Sequence, residues 1–311
     1  MTLLSGVGPK AFVLGSPISH SKSPLLHQAA YNALGESIDY QRKETQGEDL
    51  PAVFAQHGPH DDTCGFSVTM PLKTAILDYL DELTPFARAV GVVNTVYWRE
   101  GVKGWSVWGH NTDVSGIVNA LKTAGAPAEL QTGAIVGGGG TATAALAGLA
   151  YMGLKRVDVF VRNPARAHSV VETAKRLGVT VQFEPLEAFS HRCSLYEVNI
   201  STLPAGAADH LMSDTTSSQR TQLGILLDVT YDPWPSSLAQ LWQERGGKVT
   251  SGLEMLMYQA VDQVKLFTGR SLEQRLPSED KVIEAMRSSV GLPPADVSPQ
   301  MVWDPLKLIR T

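Results

Sequence analysis

The chain has 311 residues, 43% of them hydrophobic and 18% charged, with a formal net charge of −5 and no basic run. That balance fits a globular protein with room for two ordinary cores, and it argues against nucleic acid or an acidic membrane surface as a partner. No apolar stretch is long enough to span a bilayer, the N-terminus lacks a signal-peptide pattern, and Cys64 and Cys193 form no C-x-x-C; the expected location is the cytoplasm.

In chain order, residues 11–14 are predicted as a short apolar strand ended by Gly15. A hydroxyl-rich loop follows, Ser16-Pro17-Ile18-Ser19-His20-Ser21-Lys22-Ser23-Pro24. Ser23 before Pro24 reads as an N-cap with proline at the first helical position. The helix then carries Leu26, Ala29, Ala30 and Ala33 to a stop at Gly35. Capping accounts for Ser23 well and for Ser21 poorly, which marks the loop as a candidate site. Next, Phe66 and Val68 alternate with Ser67 and Thr69 as in a strand, and Pro71 ends it. Lys73 opens a helix whose buried side holds Ile76, Leu77 and Leu80. A lysine in the first turn opposes the helix dipole, and a local rule broken without local gain points to function. A surface lysine is the bland alternative.

Thr84-Pro85 is predicted to cap another helix, and residues 92–97 to form a strand with a buried amide, Asn94. Trp98 to Trp108 reads as a hairpin with Glu100-Gly101 at its turn. Asp113 precedes a helix to Ala124 in which Ile117, Val118 and Leu121 share a face. Capping is one account of Asp113; the other is its place at a domain junction, where sites collect.

The most informative stretch runs from Gly133 to Ala144. A short apolar strand (Ala134, Ile135, Val136) stops at four glycines, and an alanine-rich helix follows. Strand, tight turn and helix are the context in which G-x-G-x-x-G/A binds a dinucleotide, and Gly137, Gly139 and Ala142 fill its three positions. Gly137 makes the turn, Gly139 lets the backbone approach a pyrophosphate, and Ala142 lets the helix lie close to its strand. The pyrophosphate would sit at the helix N-terminus, where unpaired N–H groups favour an anion. The next strand, residues 156–161, ends in Arg162-Asn163-Pro164-Ala165-Arg166, with no carboxylate for a ribose hydroxyl. Two arginines suit a 2′-phosphate, so NADP is the expected cofactor.

Strands and helices keep alternating beyond residue 163. Residues 179–183, 197–202 and 223–229 are β-rich, and the polar stretch 205–222 is expected to hold a helix and a mobile loop. Asp228 to Pro235 leaves a buried strand and turns on two prolines. Gly252 opens a long helix to Thr268-Gly269, Ser278 to Ser289 forms another, and a proline-rich tail follows from Gly291. His20, His27, His57, His60 and His110 show no ligand spacing, so no metal site is expected.

These stretches, in this order, resemble the shikimate dehydrogenases. The match lies in Ser-Lys-Ser-Pro (21–24), Val-Thr-Met-Pro-Leu-Lys (68–73), Val-Asn-Thr (93–95), Asn-Thr-Asp (111–113), the glycine turn, Asp-x-x-Tyr (228–231) and Gly-x-x-Met-Leu-x-x-Gln-Ala (252–260). It covers residues 11–290. The resemblance implies a two-domain α/β fold: a substrate domain over 1–112, an NADP-binding Rossmann domain over 113–250, and C-terminal helices over 251–311 that return to the first domain. It implies that Ser21, Ser23, Thr69, Asn94, Asp113 and Gln259 hold the substrate, with Tyr231 close by. Lys73 would be the catalytic lysine, paired with Asp113. Gly137, Gly138, Gly139, Gly140, Thr141, Arg162, Asn163, Arg166, Thr202 and Gly252 would bind the cofactor. Two departures stand out: Ser67 where the family usually has asparagine, and Val161-Arg162-Asn163 where it usually has Asn-Arg-Thr. The activity implied is NADP-dependent reduction of 3-dehydroshikimate to shikimate by a monomer or homodimer. Quinate with NAD, or a silent NADP-binding sensor, are the alternatives. Ser23 and Arg162 weigh against the first, and the presence of both Lys73 and Asp113 against the second.

Overall fold

A computed structural model describes residues 8–209, 211 and 223–295. Most of the polar stretch at 205–222 and of the tail from Gly291 lies outside the described residues. Along the chain run β1 (Lys10–Gly15), α1 (Ser23–Leu34), β2 (Asp39–Glu44), α2 (Leu50–Gln56), β3 (Thr63–Val68), α3 (Leu72–Ala75), β4 (Glu82–Leu83), α4 (Pro85–Val90), β5 (Thr95–Gly101) and β6 (Gly104–His110). They are followed by α5 (Asp113–Thr123), β7 (Gly133–Val136), α6 (Gly140–Tyr151), β8 (Arg156–Val161), α7 (His168–Leu177), β9 (Thr180–Pro185), α8 (Phe189–Arg192) and β10 (Val198–Ser201). The last elements are β11 (Ile225–Asp228), α9 (Ser237–Glu244), β12 (Lys248–Ser251), α10 (Gly252–Phe267) and α11 (Glu279–Ser289). The α/β class expected from the alternation is the one the chain adopts.

Two compact units result. One takes the chain to Ala87, Val92–Thr112 and Ala260–Pro294; the other is built on Asp113–Gln259 with Arg88–Gly91. The first unit holds a mixed sheet in the order β2-β1-β3-β5-β6-β4. Its strands β2, β1 and β3 are parallel, whereas β5 runs antiparallel to both β3 and β6. Its core gathers Phe12, Leu14, Leu50, Phe66, Val68, Leu72, Ile76 and Val96. Buried charges also tie α10 to α11: Lys265 Nζ lies 3.5 Å from both Asp262 Oδ1 and Glu279 Oε2, all about 1% exposed.

The second unit is a six-stranded parallel sheet in the order β9-β8-β7-β10-β11-β12. Counted from β7, this is the 3-2-1-4-5-6 order of a dinucleotide-binding fold. The order reverses between β7 and β10, so a crevice opens at the carboxyl ends of those strands. Gly133, Ala134, Ile135 and Val136 of β7 are all buried, as a central parallel strand requires. Phe160, Phe189, Tyr196, Leu226, Leu238 and Trp242 form the core on one side.

Three local expectations need correction. The hairpin turns at Val102-Lys103 rather than Glu100-Gly101, because β5 and β6 pair through Gly101 and Gly104. Lys73 lies in a single turn of helix, α3, and Ile76 to Tyr79 tighten into a 3₁₀ turn rather than continuing it. Ser23 is not the N-cap of α1; it is the first helical residue, after Lys22, and Lys22 makes no side-chain cap. The oxygen that serves this end is Ser21 Oγ, which accepts from Ser23 N at 3.3 Å.

Candidate active site

In the first unit the site grows from the carboxyl ends of β1 and β3. Parallel neighbours bring their following loops together, and here Thr69 N donates to Leu14 O (2.9 Å) while Ser16 N donates to Met70 O (3.0 Å). The serine loop therefore starts beside Thr69. Arg42 of β2 holds that loop by donating from Nε to Ser21 O at 3.0 Å. Lys73 is half-buried, and its carbonyl accepts from Val93 N at 3.1 Å, one residue before Asn94.

A polar network is buried beneath this surface. Tyr40 Oη donates to Ser67 Oγ at 2.6 Å, Ser67 Oγ donates to Gln263 Oε1 at 2.9 Å, and the Ser23 hydroxyl faces the Tyr40 phenol. Burial pushes the Tyr40 phenol well up, against the pull of its two serine partners, so it stays neutral. His27 stacks on Tyr40 with ring centroids 3.9 Å apart and reaches Gln263 Oε1 at 3.3 Å. Desolvation lowers its pKa to about 3. Asn94, 1% exposed, accepts from Thr112 N on Oδ1 at 2.7 Å and donates from Nδ2 to Thr112 Oγ1 at 3.0 Å. Asn94 precedes β5 rather than lying within it. The structure thus brings Ser21, Ser23, Thr69, Lys73 and Asn94 into one unit.

Asp113, Tyr231 and Gln259 belong to the other unit. Asp113 is buried at the first position of α5. Tyr231 sits half-buried in the loop after β11. Asp228 pins that loop, accepting from Ser236 Oγ at 2.6 Å and Thr230 N at 3.2 Å, and burial raises its carboxyl pKa. Gln259 is half-buried on α10, beside Gly116 of α5, where any side chain would strike the Met255 carbonyl.

The nucleotide cavity lies wholly within the second unit. It measures about 480 Å³ and is lined by Gly137, Gly138, Gly139, Arg162, Asn163 and Arg166, among others. Gly137 adopts φ +109°, which only glycine takes without strain, and so turns the chain off β7. A Cβ on Gly138 would press on Ala167 at 2.8 Å, whereas one on Gly139 would meet nothing within 4 Å. Gly139 therefore faces open space at the N-terminus of the twelve-residue α6, as an anion cradle requires. Arg162 and Arg166 are exposed at the carboxyl end of β8, and among the described lining residues there is no carboxylate. Two guanidinium groups and a glycine turn fit a dinucleotide carrying an extra phosphate.

Asn163 also has a local duty, since its Oδ1 accepts from Ala165 N at 3.0 Å and caps the turn that presents Arg166. Gly140, Thr141, Thr202 and Gly252 are not among the residues lining this cavity. Thr202 supports it from behind, donating from Oγ1 to Val136 O at 2.9 Å, and Gly252 is packed against the Val229 carbonyl. Sequence reasoning missed Leu186, Ala167 and Leu203 as lining residues, and Gln263, Tyr40 and Thr95 as the buried network. For Gln263 a signal was present: it stands four residues after Gln259, one helical turn along the same face.

Comparison with known proteins agrees with this geometry. The family description "Shikimate dehydrogenase substrate binding domain" matches residues 13–96. The pentafunctional AROM polypeptide of Eremothecium gossypii is 33% identical over 276 residues; the match takes in 86% of this chain but only 17% of that polypeptide. The shikimate dehydrogenase (NADP(+)) of Bacillus cereus is 31% identical over 267 residues, 83% of this chain and 92% of that protein. The crystal structure of Mycobacterium tuberculosis shikimate dehydrogenase is 38% identical with a TM-score of 0.75, covering 91% of this chain and 99% of the other. With identity above 30% along nearly the whole of a single-function relative, and the matching geometry above, the chain belongs to the shikimate dehydrogenase family.

Proposed function

We propose that this chain catalyses the reversible NADP-dependent reduction of 3-dehydroshikimate to shikimate, a step toward chorismate and the aromatic amino acids. The single observation that carries the reading is the cavity in which the glycine turn after β7 meets Arg162 and Arg166 at the end of β8. Hydride transfer is the chemistry the bound cofactor supplies. The chain's own residues do the rest. Gly137, Gly138 and Gly139, with Gly140 and Thr141 at the start of α6, take the pyrophosphate. Arg162, Asn163 and Arg166 take the adenosine end with its 2′-phosphate, with Thr202 and Gly252 further along the cofactor. Ser21, Ser23, Thr69, Asn94 and Gln259 hold the ring's carboxylate and hydroxyls, with Tyr231 close by.

Oxygen charge develops as a ketone becomes an alcohol, and it needs a proton or a cation beside it. Lys73 provides both, giving its proton to the carbonyl oxygen and taking it back in reverse. Asp113 is its carboxylate partner. On this reading the chain acts in the cytoplasm, as a monomer or homodimer, on a small-molecule substrate. Among the described residues no helix is long and apolar enough to cross a membrane.

The test is initial-rate kinetics with shikimate and quinate, each against NADP and NAD, for wild type and Lys73 variants. Shikimate with NADP should be the preferred pair. Lys73→Ala should lower turnover by about two to four orders of magnitude with a smaller effect on binding. Lys73→Arg keeps charge but not the compact donor, and should not restore activity. A Lys73→Ala chain that turns over nearly as fast as wild type ends the lysine mechanism.

A further inference from the structure

Gln263 lies on α10, is 2% exposed, and sits in the first unit with the serine loop. Its Nε2 donates to Asn94 O at 3.3 Å and to Thr95 Oγ1 at 3.1 Å. Its Oε1 takes Ser67 Oγ at 2.9 Å and faces His27 Nε2 at 3.3 Å. A backbone carbonyl can only accept, so the amide nitrogen must face Asn94 and the oxygen must face Ser67 and His27. Every neighbouring proton is then fixed in turn.

His27 must carry its hydrogen on Nε2, and its Nδ1 accepts from Tyr31 Oη at 3.1 Å. Ser67 donates to Gln263 and so receives from Tyr40. Thr95, receiving from Gln263, donates onward to Asn94 Oδ1 at 2.9 Å. Asn94 Oδ1 also accepts the Thr112 N–H, which can only donate. The Asn94 amide is therefore locked with its oxygen on Thr95 and Thr112.

We propose that Gln263 is a positioning residue for the substrate site: from beneath it bonds the Asn94 carbonyl and the Thr95 hydroxyl, and so holds in place the Asn94 amide whose polarity the Thr112 N–H fixes. Without Gln263, the Asn94 carbonyl and the Thr95 hydroxyl lose their shared donor, so the backbone that carries the Asn94 side chain loses its support while the Thr112 N–H still fixes the amide's polarity. Ser67 loses its acceptor in the same event, which loosens Tyr40, the phenol that Ser23 faces. This rests on the reading of Asn94 and Ser23 as substrate ligands.

The experiment measures KM for shikimate and for NADP in the full chain carrying Gln263→Leu, Gln263→Glu or Asn94→Ala. Gln263→Leu should raise KM for shikimate about tenfold, leaving KM for NADP within about twofold. Gln263→Glu should do the same at about pH 8, because a carboxylate cannot donate to the Asn94 carbonyl. Burial raises that carboxyl above its usual ~4.3, so at about pH 5.5 it regains an O–H donor and KM relative to wild type should fall back. In the wild-type chain His27, Tyr31 and Tyr40, the titratable groups of the cluster, stay neutral over this range, His27 because its pKa lies near 3 and the tyrosines because burial raises theirs; the Gln263→Glu comparison is made in a His27→Asn background, where no imidazole can take up a proton beside the new carboxylate. A purely structural loss would show no such recovery, and the recovery is read on one folded sample even where Gln263→Leu fails to fold. Wild-type KM in both Gln263 variants, or a Gln263→Glu defect equal at both pH values, overturns the proposal. If Asn94→Ala leaves KM for shikimate unchanged, the substrate-site reading fails instead; if it raises KM while the Gln263 variants do not, only the positioning role fails.

Discussion

Arg162 shows how much one side chain can decide. It stands one residue beyond β8, exposed and lining the same cavity as Arg166, where a carboxylate would instead select a free ribose hydroxyl. A charge-assisted contact of this kind contributes about 2 kcal/mol, so Arg162→Ala should weaken NADP about thirtyfold and leave NAD nearly unchanged. Isothermal titration with both cofactors checks this; equal losses would mean the guanidinium does not meet the 2′-phosphate. Ser21 and Ser23 carry the complementary lesson. Sequence pattern gave the capping duty to Ser23, yet the capping oxygen belongs to Ser21, and the Ser23 hydroxyl is turned toward Tyr40. Local pattern ranks a Ser-Pro pair by its place on the helix, whereas the side chain that Ser23 faces lies on β2, seventeen residues away in the chain. Gln263 escaped for the same reason, since its partners come from β3 and from the residues at the start of β5.

At the scale of elements, the glycine turn and the helix behind it make two separable demands. Gly137 needs its positive φ, and a side chain there would also collide with Thr202 Oγ1. Gly139 has no such steric limit within the protein. Gly137→Ala should therefore cost about 1–3 kcal/mol of stability along with NADP binding. Gly139→Ala should melt near the wild-type temperature yet bind NADP weakly, because its methyl would occupy space the pyrophosphate needs. Thermal melts paired with NADP titration separate the two, and a normal affinity in Gly139→Ala would remove the pyrophosphate from this turn. Such demands made β7 and α6 legible in advance: a buried central parallel strand is apolar throughout, and only glycine turns so sharply after it. The ends of α3 and the turn of the β5–β6 hairpin were not legible. Pairing of Gly101 with Gly104 sets the turn, and a lysine-bearing single turn of helix has too few residues to show a period.

For the whole molecule, the first unit should be the acid-sensitive one. His27 and His110 are both buried there, and desolvation lowers each pKa to about 3 from 6.5. The unfolded chain binds these protons near pH 6.5 while the folded chain does not until about pH 3, so stability rises with pH across that window and falls on acidification. Each histidine contributes a slope of up to about 1.4 kcal/mol per pH unit. Denaturant unfolding from about pH 7 to pH 5 should show it, with His110→Asn removing one proton's share; a flat profile would mean these rings are solvated. The two units also differ in how the ribosome delivers them. The nucleotide unit is almost one continuous segment, Asp113–Gln259, and can close as soon as β12 has emerged. The substrate unit begins at the opposite end of the chain but waits for residues 260–294, which bring Gln263 to Ser67 across 196 positions and Lys265 to Glu279 between α10 and α11. Contacts of such long separation form late and slowly. During synthesis the chain therefore has a period in which the parallel sheet of the second unit is complete while Ser67, Asn94 and Tyr40 still lack the amide that orders them; on the function proposed, a newly made chain would be able to hold NADP before it could read a substrate.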